Sequence, residues 1–360
     1  MKKKDIILGV TSIQVVEEKY ILIVKKQSVF FQDSSVFQTE SEAFGILMAK
    51  DKIYFADYNS QYISGRFFDG NNEFTYQIPF EYEISFCNVQ ETKVIISTNQ
   101  RKIENDKRVY DIFYYDFIKR ELENIKCVNK KPLDNIQWKG HLLFDETKFL
   151  LSAFSIEKKE TIWQFKLFEH FKYDRTWGDG EFYHFIGVWN DILWIDIKTS
   201  HLIGVDVHSG QLKYDFCKPS KIYGQVTQAY HEQLHEVFYS NIDEDRNSLF
   251  GFHYDTYWEV NLNNPTPELH FYIFEEECKK YNSFAPNPER YCFDKQYLYY
   301  VDAFNGTVAS IDRDTKDFHF LYQFPEASAG TLMEIQVSED KVYILDNQST
   351  LHIFEKETLA

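Results

Sequence analysis

Residues 188–216 read VWNDILWIDIKTSHLIGVDVHSGQLKYDF, with three short apolar runs separated by two polar turns. Each run has the length of a β-strand and lacks the three-and-four spacing of a helix, so strands are predicted over Ile192–Ile197, His201–Val207 and Gln211–Phe216. Asp, Ser and Gly tolerate the backbone of tight hairpin turns. The stretch therefore predicts three consecutive strands of an antiparallel sheet.

The same plan recurs along the chain at intervals of about 45 residues, the period that repeat folds show. Its most regular part is a short apolar strand that commonly ends in Asp. The copies lie at Lys19–Val24, Lys52–Asp57, Lys93–Thr98, Lys148–Ala153, Ile192–Ile197, Glu236–Asn241, Tyr297–Asp302 and Lys341–Asp346. Several short strands per repeat at this period are typical of a β-propeller. We expect an all-β fold: a single β-propeller domain over residues 1–360, with about eight four-stranded blades, or alternatively seven.

The two ends of the chain predict how such a ring would close. The last repeat, Thr331–Leu359, has room for three strands, and Asp5–Val10 (DIILGV) precedes the first full repeat as an orphan strand. An unpaired strand edge exposes backbone donors and acceptors. We therefore predict that the N-terminal strand pairs with the last blade. Elsewhere, the acidic-then-basic run EEECKK within residues 261–291 is compatible with a short helix or a surface loop.

Ile203–Phe216 (IGVDVHSGQLKYDF) resembles the repeats of quinoprotein-like propellers, which carry an aspartate, a Thr/Ser-Gly turn and a bulky closing aromatic. Those places are filled here by Asp206, Ser209, Gly210 and Tyr214. Ala309–Phe324 is similar but lacks the glycine. The resemblance, to the superfamily of quinoprotein-like and WD-like propellers, implies the fold alone. The quinone enzymes use adjacent cysteines and a calcium site, and this chain has no Cys-Cys pair and no Trp-Asp strand ending of the WD type.

Charge and cysteine usage restrict the class of partner and the compartment. The formal net charge of −17 disfavours nucleic acid and anionic membrane surfaces, and it suits a basic protein partner. The five cysteines are scattered without a CxxC pair, and the first residues do not form an export signal. Both features favour a reducing compartment, so a cytoplasmic location is expected.

One motif carries metal chemistry elsewhere: His231-Glu232-Gln233-Leu234-His235 matches HExxH. On a helix the two imidazoles bind zinc and the glutamate acts as general base. In repeat register this segment falls on a strand pair, where the two histidines would not converge. We expect no catalytic residues, no metal site and no cofactor, and the zinc hydrolase remains a minor alternative.

Acidic residues recur where second strands end, and these ends would share one rim of a propeller. The predicted rim comprises Asp57, Tyr58, Asp196, Asp243, Glu244, Asp245, Asp302, Phe304 and Asp346, with Asn241 at the equivalent place in one repeat. Two interpretations stand. The carboxylates cap turns through nearby backbone amides, or they form an acidic rim, with aromatic neighbours, that receives a cation or a basic protein.

The leading hypothesis is a non-catalytic cytoplasmic protein-binding propeller. It would suit an immunity-type protein that neutralises a toxin, or a scaffold for a basic protein. The alternative is an enzyme, or a sugar-binding or other small-ligand-binding propeller, with its site at the channel mouth.

Overall fold

The computed structural model describes residues 2–16, 20–25, 28–31, 34–38, 44–49, 52–57, 62–67, 73–77, 84–90, 93–98, 102–104, 107–116, 119, 121–128, 137–138, 142–147, 149–155, 157–170, 182–197, 201–217, 240–284, 290–325 and 331–356. The backbone divides into two compact units, one made of Met1–Glu40 with Tyr230–Ala360 and the other of Ser41–Ala229. Each unit contains four antiparallel sheets. We number strands and helices in chain order.

The first unit contains four sheets of four strands each. One orders β2 (Ser12–Val16), β3 (Tyr20–Lys25), β4 (Ser28–Phe31) and β5 (Ser34–Gln38). The next orders β23 (Ser240–Asp243), β24 (Ser248–His253), β25 (Thr256–Asn261) and β26 (Leu269–Ile273). A third orders β27 (Tyr291–Phe293), β28 (Tyr297–Asp302), β29 (Thr307–Asp312) and β30 (Phe318–Gln323). The last orders β31 (Leu332–Val337), β32 (Lys341–Asp346), β33 (Thr350–Glu355) and β1 (Lys2–Leu8).

The second unit repeats the arrangement. Its sheets are β6 (Phe44–Ala49), β7 (Lys52–Asp57), β8 (Tyr62–Phe67) and β9 (Glu73–Gln77); then β10 (Ile84–Gln90), β11 (Lys93–Thr98), β12 (Lys102–Glu104), β13 (Lys107–Asp116) and β14 (Glu121–Val128). They continue with β15 (Gln137–Trp138), β16 (Leu142–Thr147), β17 (Leu150–Ser155) and β18 (Glu160–Lys166), and end with β19 (Phe182–Trp189), β20 (Ile192–Ile197), β21 (His201–Asp206) and β22 (Leu212–Cys217). The predicted class, all-β with sheets of about four strands, is confirmed.

Within the described part of the chain, two short helices join sheets. Helix α1 (Leu167–His170) follows β18, and helix α2 (Glu275–Tyr281) lies between β26 and β27. Helix α2 begins with three glutamates and carries Lys279 and Lys280 in its last turn, which suits the helix dipole. It stops at Asn282, whose left-handed backbone donates to carbonyls of the last turn. The EEECKK run therefore forms a helix. Among the described residues no helix has the length and apolar composition needed to cross a bilayer.

The N-terminal strand pairs as predicted. Strand β1 lies antiparallel to β33, with Ile6 opposite His352 and Leu8 opposite Thr350. The strand begins and ends a few residues earlier than the predicted Asp5–Val10. Val10 follows it, is fully buried, and donates its backbone N–H to Ser349 O at 2.9 Å.

Two predicted second strands occupy other places in their sheets. Lys148–Ala153 overlaps β17, which is the third strand, and Glu236–Asn241 overlaps β23, which is the first. The second strands there are β16 and β24, reading LLFDET and SLFGFH. Short apolar runs occur at several places in each repeat, so composition alone does not show whether a strand is the first, second or third of its sheet.

Sheet faces pack through aromatic and branched side chains. In the first unit, Phe250 and Tyr257 of one sheet share a core with Tyr300 and Ile311 of the next. In the second unit, Leu151 and Phe165 similarly pack against the sheet that contains Ile195. Burial of this apolar surface is the main favourable term in the fold.

The turn after β21 shows how one glycine is required. Gly210 has a φ of +70°, a conformation that L-residues avoid. The Trp163 indole covers this turn and donates from Nε1 to Val207 O at 2.8 Å. A Cβ on Gly210 would lie 2.6 Å from the Trp163 ring. The predicted Ser-Gly turn is therefore also a packing site for the neighbouring sheet.

Candidate functional site

The turns of the first unit lie at two opposite ends of its antiparallel strands. The turn at 303–306 follows β28, and the turn at 347–349 follows β32. We call the surface formed by residues 303–306, 331–333 and 347–349 the Phe304 edge. We call the surface of the turns at 244–247, 294–296 and 313–316 the Asp243 edge. Backbone bonds join the first surface: Leu332 N donates to Ala303 O at 3.3 Å, and Asn347 N to Thr331 O at 3.0 Å.

The predicted acidic rim is divided between these ends. Asp302 and Asp346 end second strands next to the Phe304 edge, whereas Asp243, Glu244 and Asp245 belong to the opposite end. The physical reason is the position of β23, which is the first strand of its sheet and not the second. A first strand ends where a second strand begins, because successive strands of the sheet run in opposite directions. The interpretation of all these acids as one rim is corrected accordingly.

The turn at 303–306 is held by the buried carboxylate of Asp302. Its Oδ1 accepts from Phe304 N at 2.8 Å and Asn305 N at 2.9 Å. Its Oδ2 accepts from Phe284 N at 2.9 Å and Asn305 Nδ2 at 2.9 Å. The carboxylate thus fixes the turn and ties it to the segment after helix α2.

Phe304 projects from this fixed turn. Its side chain is 79% exposed, the largest exposure among the large apolar residues that the structure describes. The Arg290 guanidinium lies 5.5 Å from the ring centre and is itself buried. Arg290 Nη1 has no hydrogen-bond partner within the described part of the chain. An exposed aromatic ring on a rigid turn, above a buried cation, is a surface that another molecule can cover.

Asp346 and Asp196 are buried as well. Asp346 Oδ1 accepts from Gln348 N at 2.9 Å and Thr350 N at 3.0 Å, and Oδ2 lies 2.8 Å from His352 Nε2. In the second unit, Asp196 Oδ2 lies 3.4 Å from His184 Nδ1. Asp346 therefore has the arrangement of the turn-capping interpretation, whereas Asp196 faces a histidine side chain.

A cavity of about 850 Å³ opens beside the Phe304 edge, entirely within the first unit. Its lining comes from β27, β31, the end of β32 and the connection before β2. The lining residues are Val10, Thr11, Tyr291, Met333, Glu334, Gln336, Leu345, Asp346, Asn347 and Ser349. Met333 is 45% exposed at this cavity. Both charged groups in the lining are carboxylates.

The Asp243 edge is a network of ion pairs. The buried Arg313 places Nη2 2.6 Å from Asp243 Oδ2 and donates from Nη1 to Asp294 O at 3.0 Å. Arg246 Nη1 lies 2.7 Å from Asp314 Oδ1. A cavity of about 460 Å³ lies among these residues. Glu244 and Asp245 are exposed there, but basic side chains stand next to them.

Burial shifts the pKa of two titratable side chains of the first unit, Cys278 and Lys316. Burial raises the pKa of the Cys278 thiol to about 12, although the hydrogen bond between this thiol and the Tyr300 hydroxyl opposes the rise. Burial lowers the pKa of Lys316, and its hydrogen bond to Glu259 acts in the opposite direction. The Cys278 environment does not activate the thiol as a nucleophile, because a thiol must lose its proton to react.

Several predicted residues cannot be placed in a site. Asp57 ends β7 in the second unit, and Tyr58 lies outside the described residues. The HExxH segment, residues 231–235, also lies outside them. Over the residues that the structure describes, no three His, Cys, Asp or Glu side chains are grouped as metal ligands.

Comparison with known proteins gives no family for this sequence: no family model and no curated protein matches it. Solved structures do match. The C-terminal WD40 domain of Sif2 has a TM-score of 0.59 at 12% identity, over 99% of this chain and 98% of that one. Sqt1 of Saccharomyces cerevisiae has 0.54 at 9%, over 94% and 90%. BamB of Moraxella catarrhalis has 0.53 at 10%, over 98% and 99%.

All three are β-propellers. This chain has a β-propeller fold. At these identities the likeness extends to the fold only, and a propeller fold is shared by proteins of many functions. Function must therefore be argued from this chain's own surfaces.

Two features of the site could not be predicted from the sequence. Met333 and Glu334 belong to a first strand, and the repeat pattern gave no reason to separate them from other strand residues. Arg290 precedes the three-residue strand β27, which is too short to show alternation. Phe304 was predicted because it is an aromatic residue two positions after Asp302, the residue that ends β28.

Proposed function

We propose that this protein is a non-catalytic protein-binding propeller and that its contact surface is the Phe304 edge. We further propose that residues 1–360 form one domain, a ring of eight blades. Four sheets in each unit support the number of blades, and the pairing of β1 with β33 supports closure by the N-terminal strand.

The observation that carries the proposal is the exposure of Phe304 on a rigid turn. Residues that dominate binding energy in interfaces are enriched in aromatics and arginine and lie in preorganised surroundings. Phe304 meets this description, since the Asp302 carboxylate holds its backbone N–H and Arg290 lies under its ring. Met333 adds a second exposed apolar side chain on the same edge.

Charge favours a basic partner. The chain carries a formal net charge of −17, which accelerates encounter with a positively charged surface. An immunity-type neutraliser of a basic toxin must bind a positively charged surface, and so must a scaffold for a basic protein. A cytoplasmic location is part of the proposal, and the free thiols of Cys278 and Cys292 are consistent with it.

Capture of partners from native lysate tests the proposal. The tagged wild-type chain should retain a basic protein, and Phe304→Ala should retain at least tenfold less, the loss expected when a dominant interface residue is removed. Phe168→Ala is the matched control, because Phe168 is an exposed aromatic of the second unit. Equal capture by wild type and Phe304→Ala would contradict the assignment of the surface.

A second candidate is a small-ligand or sugar site, with or without catalysis, in the cavity of about 850 Å³. Its volume is within the range of ligand pockets. A thermal-shift screen with metabolites and sugars tests it, because a ligand that binds the folded state raises the melting temperature. Metal analysis of the purified protein tests the remaining zinc hydrolase alternative.

A further inference from the structure

We infer that the cavity beside the Phe304 edge receives a lysine or arginine side chain of the protein partner. This inference rests on the proposed function and specifies what the partner presents. The cavity has walls of two kinds, which together match a cationic group on an aliphatic stem.

The first wall is apolar. Val10, Met333 and Leu345 line the cavity, and Met333 is also exposed at the surface. Lysine and arginine bury their methylene stems on such surfaces while the charged head reaches a polar group. The flexible thioether of methionine adapts to stems of different shape.

The second wall is polar and carries acidic groups only. Glu334 and Asp346 are the two charged residues of the lining. The Asp346 carboxylate already accepts from two backbone amides and lies against His352, so it contributes negative potential more than a contact. Glu334 is half-buried, and Gln336 Nε2 donates to its Oε1 at 3.2 Å, which orients the carboxylate.

Tyr291 also lines the cavity. It lies on β27, and its hydroxyl accepts from Asn241 Nδ2 at 2.5 Å. Arg290, the neighbour of Tyr291 in sequence, is not part of the lining and stacks on Phe304. A cation in the cavity would meet the Glu334 carboxylate, and charge-assisted hydrogen bonds of this kind are the strong ones.

Charge complementarity selects this occupant over others. An acidic side chain would be repelled by both carboxylates. A purely apolar one would leave Glu334 and Gln336 covered without new partners, which is unfavourable. The net charge of −17 attracts the same class of partner at long range.

The experiment uses three tripeptides with blocked ends: glycine-arginine-glycine, glycine-lysine-glycine and the uncharged glycine-citrulline-glycine. Binding to the full chain is measured by ligand-observed NMR and by calorimetry. We expect at least one cationic peptide to bind about tenfold more tightly than the citrulline peptide, and the difference to shrink as salt is raised.

Glu334→Gln should abolish that tenfold preference, whereas Glu339→Gln should retain it. Glu339 is the matched control, because it is an exposed glutamate of the same sheet at the opposite end of β31. Equal binding of the charged and uncharged peptides, no binding by either cationic peptide, or equal effects of the two variants would each overturn the inference. The proposed function is tested separately. If the partner is lost in Phe304→Ala but retained by Glu334→Gln, the Phe304 edge remains the binding surface and only the inference about the cavity is overturned.

Discussion

The guanidinium Nη2 of Arg313 lies 2.6 Å from the Asp243 carboxylate and joins two neighbouring sheets of the first unit at the Asp243 edge. Both residues are buried, with Arg313 only 2% exposed. The guanidinium also lies 4.3 Å from the centre of the Phe250 ring. This pair links the turn after β29 to the last residue of β23, and the two residues are 70 positions apart in the chain.

Breaking this pair should destabilise the first unit strongly. Arg313→Met leaves the Asp243 carboxylate buried without its main cation, and such losses amount to about 3–5 kcal/mol of unfolding free energy. Denaturant unfolding followed by fluorescence measures the change. The control is Lys295→Met, which removes an exposed pair with Asp245 at 4.0 Å and should change stability by less than about 1 kcal/mol. Similar effects of the two variants would contradict the assignment of Arg313 as a buried tie.

Gly210→Ala should destabilise more than Gly9→Ala. Both glycines have positive φ, +70° and +75°, so both variants carry the backbone strain of about 1–2 kcal/mol. At Gly210 the new methyl group would also meet the Trp163 ring at 2.6 Å, whereas nothing lies within 4 Å at Gly9. Overpacking adds about 1–3 kcal/mol, and the difference in unfolding free energy between the two variants isolates it. No difference would mean that Trp163 does not cover the turn.

The turn carboxylate of Asp206 should titrate below its ordinary range. The Ser209 hydroxyl bond, at 2.8 Å, is the largest cause of the lowered pKa, and the backbone N–H groups of Ser209 and His208 add to it. A pKa lower in the folded than in the unfolded state stabilises the fold above the unfolded value, near 3.9, and this contribution is lost as pH falls through the folded pKa.

Ser209→Ala should therefore raise the pKa of Asp206, and Ser209→Thr, which keeps a hydroxyl, should restore most of the shift. NMR titration of the side-chain carboxyl carbon measures it directly. Because the turn is exposed, the stability difference at neutral pH should stay below about 1 kcal/mol and shrink toward acid pH. An unchanged pKa in Ser209→Ala would exclude the hydroxyl bond as the cause.

Removal of residues 1–10 should lower the melting temperature by several degrees, since about 1 kcal/mol shifts the melting point of a large domain by a few degrees. The deletion exposes the backbone of β33 and removes the fully buried Val10. Removal of residues 1–4 alone keeps the pairing of Asp5 to Leu8 and should have a smaller effect. A melting temperature unchanged by the longer deletion would show that β1 does not support the sheet.

Local features were predictable from the sequence, whereas contacts between sheets were not. Ile192–Ile197 has the predicted bounds, and the Asp206 turn contains the predicted glycine, because strand length and turn chemistry are local properties. The prediction that Glu236–Asn241 is a second strand was wrong, since a strand's position depends on where its sheet begins in the chain. That error also placed Asp243 at the same end as Asp302.

The candidate site was predictable only in part. Phe304 was predicted as part of the rim, and it is exposed. The cavity was not predicted, because it forms between β27 and β31, whose residues belong to successive repeats. The Arg313 pair was missed for the same reason: a sequence with no alignment gives no signal that couples positions in different sheets.

Hydrogen exchange of the free protein and of its complex with the captured partner tests the central claim most directly, because amides covered by a partner exchange more slowly. We predict slowed exchange at residues 303–306 and 331–334, with little change at 244–247, 294–296 and 313–316. Slowed exchange confined to the Asp243 edge, with the Phe304 edge unchanged, would contradict the account.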